Sequence, residues 1–115
     1  MAVVTKKTVD DEIFERQAQI CKAFAHPGRL RILDLLGKGE RGVSELQREL
    51  GFSRTSLSQQ IAILKSAGVL STRRNGKQIY CSLTIPEVKE ACQLIREVLR
   101  AQIAATHQLH EPLEV

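Results

Sequence analysis

The chain has 115 residues and a net charge of +4, which limits it to about one small domain. Its apolar runs are shorter than the ~18 residues that suggest a membrane-spanning helix, and its N-terminus lacks the apolar core of a signal peptide. We therefore expect a cytoplasmic protein without membrane contact. A domain of this size buries a small share of its surface, so a partner subunit would stabilise it.

The positive charge is concentrated in the middle of the chain. Residues 41–80 carry seven Lys or Arg against two Glu, whereas residues 1–40 are nearly balanced and residues 81–115 are net negative. A concentrated positive field favours a polyanion through counterion release. Three Phe, one Tyr and no Trp are too few for the stacking platforms that grip single strands and RNA loops. We therefore expect duplex DNA as the partner.

The first half of the chain is predicted to be helical. Residues 1–9 are predicted to form a flexible arm, and apolar residues at helical spacing predict a first helix from about Asp10. Pro27 is well placed in the first turn of a second helix, over residues 27–36. The segment "GKGERG" is predicted to be a loop because it holds three glycines.

The next segment has the order of a winged helix-turn-helix. Predicted helices over residues 43–50 and 54–67 flank a short turn in which Gly51 ends one helix and Ser53 caps the next. Alternating residues then predict strands over 69–74 and 77–83. The strands are joined by Asn75-Gly76, a strong hairpin signal, because a type I′ turn needs positive φ at both positions.

A long last helix over residues 86–109 completes the predicted fold. Its apolar seam contains Val88, Cys92, Ile95 and Val98, and we expect a partner surface to cover these side chains. The predicted fold class is mainly α with a small β-hairpin, a winged helix-turn-helix that dimerises through its terminal helices. It comprises a single domain over residues 10–109 and a C-terminal tail over 110–115.

The predicted fourth helix has an outward face suited to a DNA major groove. With Leu57 as the core direction, Ile61 and Leu64 lie within about 40° of it, so Thr55 and Gln59 point outward. That face has no carboxylate and no bulky apolar group, and its short polar side chains can contact bases or phosphates. The candidate DNA contacts are Ser53, Arg54, Thr55, Ser56, Ser58, Gln59, Gln60, Lys65, Arg73, Arg74 and Lys77.

Three segments together resemble the ArsR/SmtB family of bacterial winged-helix repressors. They are "FAHPGRLRILDLL", "VSELQRELGFSRTSLSQQIAILKSAGVL" and "RRNGKQIYCSL", within a resemblance over roughly residues 13–105. The resemblance implies a homodimer that binds an inverted-repeat operator near its own gene and is released by an inducer. It also places Ser56, Ser58 and Gln59 where the family contacts bases, and Arg73, Arg74 and Lys77 on the wing.

The inducer is not identified by this resemblance. The positions of the family's Cys-x-Cys metal site are residues 42–44, which supply no thiolate, and Asp34 stands where persulfide sensors carry a cysteine. Cys21 and Cys92 lie on the apolar faces of the terminal helices. They are either small buried hydrophobic residues or a thiol pair that responds to oxidant, persulfide or arsenite.

Two histidines near the end of the chain leave a further alternative. His107 and His110 stand at a helical spacing that can bind a metal, which would make the protein a metal-responsive repressor. The other interpretation is that both are solvated near the helix end. No metal site is predicted beyond this pair, and no cofactor is expected.

An enzyme is not expected. No cysteine has an evident partnering base, and "GKGERG" lacks the spacing and the preceding strand of a phosphate-binding loop. The remaining alternative is a winged-helix protein-interaction module without DNA regulation. Such a module would not need the charge excess of residues 41–80, so the sequence favours a DNA-binding transcriptional regulator that acts as a repressor.

Overall fold

A computed structural model describes residues 8–114 of the protein, and the side chains of residues 8–107. This part contains five helices and three strands. In chain order they are α1 (Val9–Phe24), α2 (Pro27–Leu36), β1 (Arg41–Gly42), α3 (Val43–Leu50), α4 (Arg54–Ser66), β2 (Leu70–Asn75), β3 (Gln78–Leu83) and α5 (Glu87–Glu114). The mainly α fold with a small hairpin is confirmed.

The helices begin where the capping residues stand. Thr8 caps α1, because its hydroxyl oxygen accepts the Asp11 N–H at 3.1 Å while the Asp11 carboxylate accepts the Thr8 N–H. His26 caps α2 through its Nδ1, which accepts the Gly28 N–H at 3.0 Å, and Pro27 follows as the first helical residue. Local sequence therefore sets the start of both helices.

The ends of the chain differ from the predicted division. Of the predicted arm over residues 1–9, residues 1–7 lie outside the described part, Thr8 caps α1 and Val9 begins it. Helix α5 runs to Glu114, beyond the end predicted near residue 109. Most of the predicted C-terminal tail over residues 110–115 is therefore helical.

The sheet has one strand more than the sequence predicted. Its order is β1-β3-β2, and both pairings are antiparallel. Arg41 and Gly42, predicted to lie in a loop, pair with Cys81 and Tyr80. A strand of two residues is too short to show alternation, so β1 depends on a partner far along the chain rather than on a local pattern.

The hairpin turn lies one residue later than predicted. Asn75 belongs to β2 and pairs with Gln78, so the two loop residues are Gly76 and Lys77. Gly76 has φ of 65°, and among the described residues positive φ occurs only at glycines. Positive φ at the first loop position alone is the requirement of a type II′ turn, not of the predicted type I′ turn.

The core joins all five helices to the sheet. Leu46, Leu57, Leu64 and Ile32 are fully buried, and Cys81 joins them from β3. Burial of these side chains fixes α4 and the hairpin against the other helices.

The terminal helices carry apolar side chains that this chain does not cover. Phe14 on α1 is 67% exposed and Leu94 on α5 is 62% exposed. Every side chain over residues 97–107 is exposed. Among residues 8–114, none of the helices combines the length and apolarity that crossing a bilayer requires.

Candidate DNA-binding interface

Helix α4 is held by its cap and by its apolar side. Gly51 ends α3 with φ of 71°, and the Ser53 hydroxyl accepts the Ser56 N–H at 3.1 Å. Leu57, Ile61 and Leu64 are buried, as the helical period predicts. The turn and these three side chains fix which face of α4 lies outward.

The outward face of α4 is polar and exposed. Arg54, Thr55, Ser58, Gln59 and Lys65 are all exposed, and the residues of α4 include no acid. Ser53 is exposed as well, and Ser56 is half-buried. The predicted candidates on α4 therefore form one surface, except for Gln60.

Gln60 is half-buried and connects helices rather than facing solvent. Its amide oxygen accepts a hydrogen bond of 2.9 Å from Nη1 of Arg29 on α2. Arg29 also donates to the backbone carbonyls of Lys22 and Ala23 at the end of α1. One guanidinium thus joins α1, α2 and α4. The sequence did not indicate this, because arginine makes such contacts in no fixed sequence pattern.

An apolar side chain missed by sequence reasoning borders the surface. Ile63 is 42% exposed on the flank of α4 and lies with Lys22 and Arg29 along a cleft between α1 and α4. It stands about 120° from the core direction, so it falls outside the strictly outward face. The flank of α4 is therefore more apolar than the predicted surface.

The wing is tied to α4 by a polar contact. The Lys65 ammonium donates a hydrogen bond of 2.9 Å to the hydroxyl of Thr72 on β2. An ammonium group has three N–H donors, so Lys65 retains donors for a phosphate. The hairpin is thereby held beside the outward face of α4.

Three wing cations occupy two different environments. Arg74 and Lys77 are exposed, and the side chain of neither makes a hydrogen bond or an ion pair within the part of the chain that the structure describes. Arg73 instead donates two hydrogen bonds to Glu40, from Nε at 2.8 Å and from Nη2 at 2.7 Å. Its guanidinium also lies over the Tyr80 ring, 4.5 Å from the centroid. The hydrogen bond from Arg73 lowers the pKa of the Glu40 carboxyl below its ordinary value.

The three thiols differ in burial. Cys21 is exposed on α1, and Cys92 on α5 is 5% exposed. Burial raises the pKa of the Cys92 thiol, the Arg96 charge opposing it in part, and burial raises the pKa of Cys81 to about 11. Because the thiolate is the reactive form, both buried cysteines are held in their unreactive state.

The histidine pair is described only in part. His107 is exposed, whereas the side chain of His110 lies outside the described residues. Over the residues described, no group of three or more metal-ligating side chains is present.

Comparison with known proteins gives the family. The model of the family described as "Bacterial regulatory protein, arsR family" matches residues 26–72, which span α2 through the start of β2. The HTH-type transcriptional regulator Rv0081 of Mycobacterium tuberculosis is 37% identical over 90 residues, 77% of this chain and 79% of that protein. The chain belongs to the arsR family. It is a DNA-binding transcriptional regulator.

Solved structures show the same fold for this arsR-family regulator. The crystal structure of Rv0081 superposes with a TM-score of 0.75 at 35% identity, covering 82% of this chain and 95% of that one. A homodimeric winged helix-turn-helix DNA-binding domain from Mycobacterium bovis, described as a possible ArsR-family regulator, gives 0.74 at 30% identity, over 85% and 91%. The winged helix-turn-helix is therefore confirmed.

A relative with a named role is also similar to the regulator. The biofilm growth-associated repressor of Xylella fastidiosa strain 9a5c is 35% identical over 85 residues, 74% of this chain and 75% of that protein.

Proposed function

We propose that the regulator binds an inverted-repeat operator near its own gene as a homodimer, and represses transcription there. The observation that carries this is the outward face of α4, which is exposed and free of acid beside a wing whose Arg74 and Lys77 side chains have no ion-pair partner among the described residues. A helix with such a face fits the major groove, and a wing of this kind fits the neighbouring backbone. The similar Xylella fastidiosa protein, named a repressor, supports the direction of control.

The exposed residues divide by the contact they suit. Thr55, Ser58 and Gln59 are placed for base edges, since glutamine can pair with adenine and hydroxyls can accept or donate. Arg54 and Lys65 suit phosphates, as do the hydroxyl groups of the exposed Ser53 and the half-buried Ser56 at the first turn of α4.

Gln60 is left out of the proposed contacts, because its amide already bonds Arg29.

Dimerisation through α1 and α5 completes the proposal. The exposed apolar side chains of the terminal helices need cover, and the similar Mycobacterium bovis domain is described as homodimeric. In a two-fold dimer the two α4 helices would stand about 34 Å apart, one turn of duplex DNA. The operator would then be an inverted repeat with half-sites at that spacing.

Release by an inducer in the cytoplasm is the last part of the proposal. In a thiol response, Cys21 would react first, since it is exposed, and Cys92 would require an opening of the α2–α5 contact. His107 is open to solvent and can be tested with metal ions in the same way.

Binding to DNA from upstream of the protein's own gene tests the proposal. We expect fluorescence anisotropy to show tighter binding to this fragment than to unrelated DNA of equal length at the same salt concentration. Transcription in vitro from that fragment should fall as protein is added. Equal affinity for both DNAs, or increased transcription, would contradict the corresponding part of the proposal.

A matched pair of glutamine variants locates the interface. Gln59→Ala should weaken binding to the specific fragment by about 1–3 kcal/mol, the worth of one good base contact, and leave unrelated DNA unaffected. Gln93→Ala, at an exposed glutamine of α5, serves as the control and should bind like the wild type. Equal effects of the two substitutions would place the interface elsewhere.

A further inference from the structure

Two adjacent arginines of the wing point to opposite faces of the sheet. Side chains alternate along a strand, and those of cross-strand partners share a face. Arg74 pairs with Ile79, on the face where Thr72 contacts Lys65 of α4. Arg73 pairs with Tyr80, on the other face. Only one of the two arginines therefore lies on the α4 side of the wing.

On the face away from α4, Arg73 contacts two residues. Glu40, in the loop between α2 and β1, binds the guanidinium through both of its oxygens, and Tyr80 supplies a ring beneath it. Paired hydrogen bonds to a carboxylate fix the plane of a guanidinium, which a single contact does not. The residues in contact are 33 positions apart, so the ion pair joins the wing to the loop after α2.

The two faces of the hairpin are thus anchored in different places. On one face, Lys65 of α4 donates a hydrogen bond to Thr72. On the other face, Glu40 in the loop after α2 accepts hydrogen bonds from Arg73. A two-stranded hairpin is marginal alone, and β1 pairs only with Tyr80 and Cys81. The buried side chains of Leu70 and Cys81 hold the base of the hairpin, and the polar contacts of Thr72 and Arg73 add to this nearer its tip.

We propose that Arg73 is a positioning residue of the wing, locked by Glu40 and Tyr80, and that Arg74 on the opposite face makes the phosphate contact. Without Arg73 the Glu40 carboxylate would be an unpaired negative charge on the wing, so the ion pair also weakens its repulsion of DNA. This inference rests on the proposed DNA binding.

The salt dependence of binding separates these two roles. Each lost phosphate contact should reduce the slope of log affinity against log salt by about one. We expect Arg74→Gln to show this reduction. Arg73→Gln and Glu40→Gln should each weaken binding several-fold while the slope keeps its wild-type value, because the number of phosphate contacts is unchanged.

A charge exchange tests the ion pair directly. Arg73→Glu and Glu40→Arg should each weaken operator binding, and the double variant should recover most of the loss, since the pair is rebuilt with reversed polarity. The double variant has the wild-type net charge, so long-range attraction to DNA is not altered. Thermal unfolding of every variant should match the wild type, because the pair is exposed.

Distinct results would overturn the inference. A slope lowered by about one in Arg73→Gln, or tighter binding by Glu40→Gln, would make Arg73 a phosphate contact that Glu40 holds back. Absence of recovery in the double variant, or losses of binding that follow losses of folding, would likewise reject it. Failure of the wild-type protein to prefer its own promoter fragment would instead reject the proposed function.

Discussion

At the scale of single residues, the burial of the Cys81 thiol makes folding stability depend on pH. Its side chain is 0% exposed, and burial raises its pKa from 9.0 to about 11, with Lys65 opposing the shift. Well below pH 9 the thiol is protonated in the folded and unfolded states alike, so its burial has no ionisation cost. Between pH 9 and 11 only the unfolded chain releases the proton, and folding stability falls.

The expected loss is about 2 kcal/mol of the free energy of unfolding between pH 8 and 11. Urea unfolding of the wild type and of Cys81→Ala over that range measures this loss. Because the variant lacks the titrating thiol, the difference between the two free energies of unfolding should shrink as pH rises. Cys21→Ala, at an exposed cysteine, is the control and should parallel the wild type. A constant gap between wild type and Cys81→Ala at all pH values would contradict the burial argument.

At the scale of elements, the sequence predicted helices better than the wing. Helix starts are encoded locally, by Pro27 for α2 and by Ser53 for α4, and both begin where expected. The hairpin depends on which residues form its two-residue loop, and a shift of one changes every cross-strand partner. With Asn75-Gly76 in the loop, Arg73 would face Gln78; with Gly76-Lys77 it faces Tyr80.

The candidate site, too, could be predicted only where the local sequence determines it. The exposed polar face of α4 could be predicted from helical period alone, because Leu57 fixes the core direction. The partners of Gln60 and Arg73 could not, since Arg29 and Glu40 reach them from distant parts of the chain. Local patterns give the face of an element, whereas side-chain contacts between elements require the assembled fold.

The turn between α3 and α4 gives a prediction at this scale. Gly51→Ala should destabilise the protein by about 1–2 kcal/mol, the cost of a left-handed conformation for a residue with a Cβ. An added Cβ at Gly51 would meet no atom within 4 Å, so the cost is conformational rather than steric. Gly51→Asn should cost less, because asparagine tolerates that conformation. Urea unfolding measures both, and equal costs would contradict this explanation.

At the scale of the whole molecule, the exposed apolar side chains of α5 are the basis of the proposed dimer. The Cα radius of gyration of the protein is 18.6 Å, whereas a compact chain of about 100 residues has roughly 13 Å. The protein is therefore more extended than a compact monomer of its length. Val98 is 56% exposed, in the middle of the apolar stripe of α5. A surface of this kind on a monomer marks an interaction site.

A charge in that stripe should separate the proposed dimer. We expect Val98→Glu to sediment as a monomer and to lose operator affinity, because a carboxylate would be buried without a partner. Gln93→Glu introduces the same charge on an exposed side chain about 140° away round the helix, and should stay dimeric. Circular dichroism should show that both variants fold. Two variants with the same sedimentation would place the interface elsewhere.

The two-residue strand β1 also bears on the order in which the molecule assembles. Its Arg41 pairs with Cys81, 40 positions later, so β1 closes a long loop in return for few hydrogen bonds. The hairpin of β2 and β3 needs only its own turn and can form early. Packing of α3 and α4, which lie within that loop, would lower the entropy that β1 loses when it joins the hairpin. We therefore expect the pairing of β1 with the wing to form late in folding, after the helices between them.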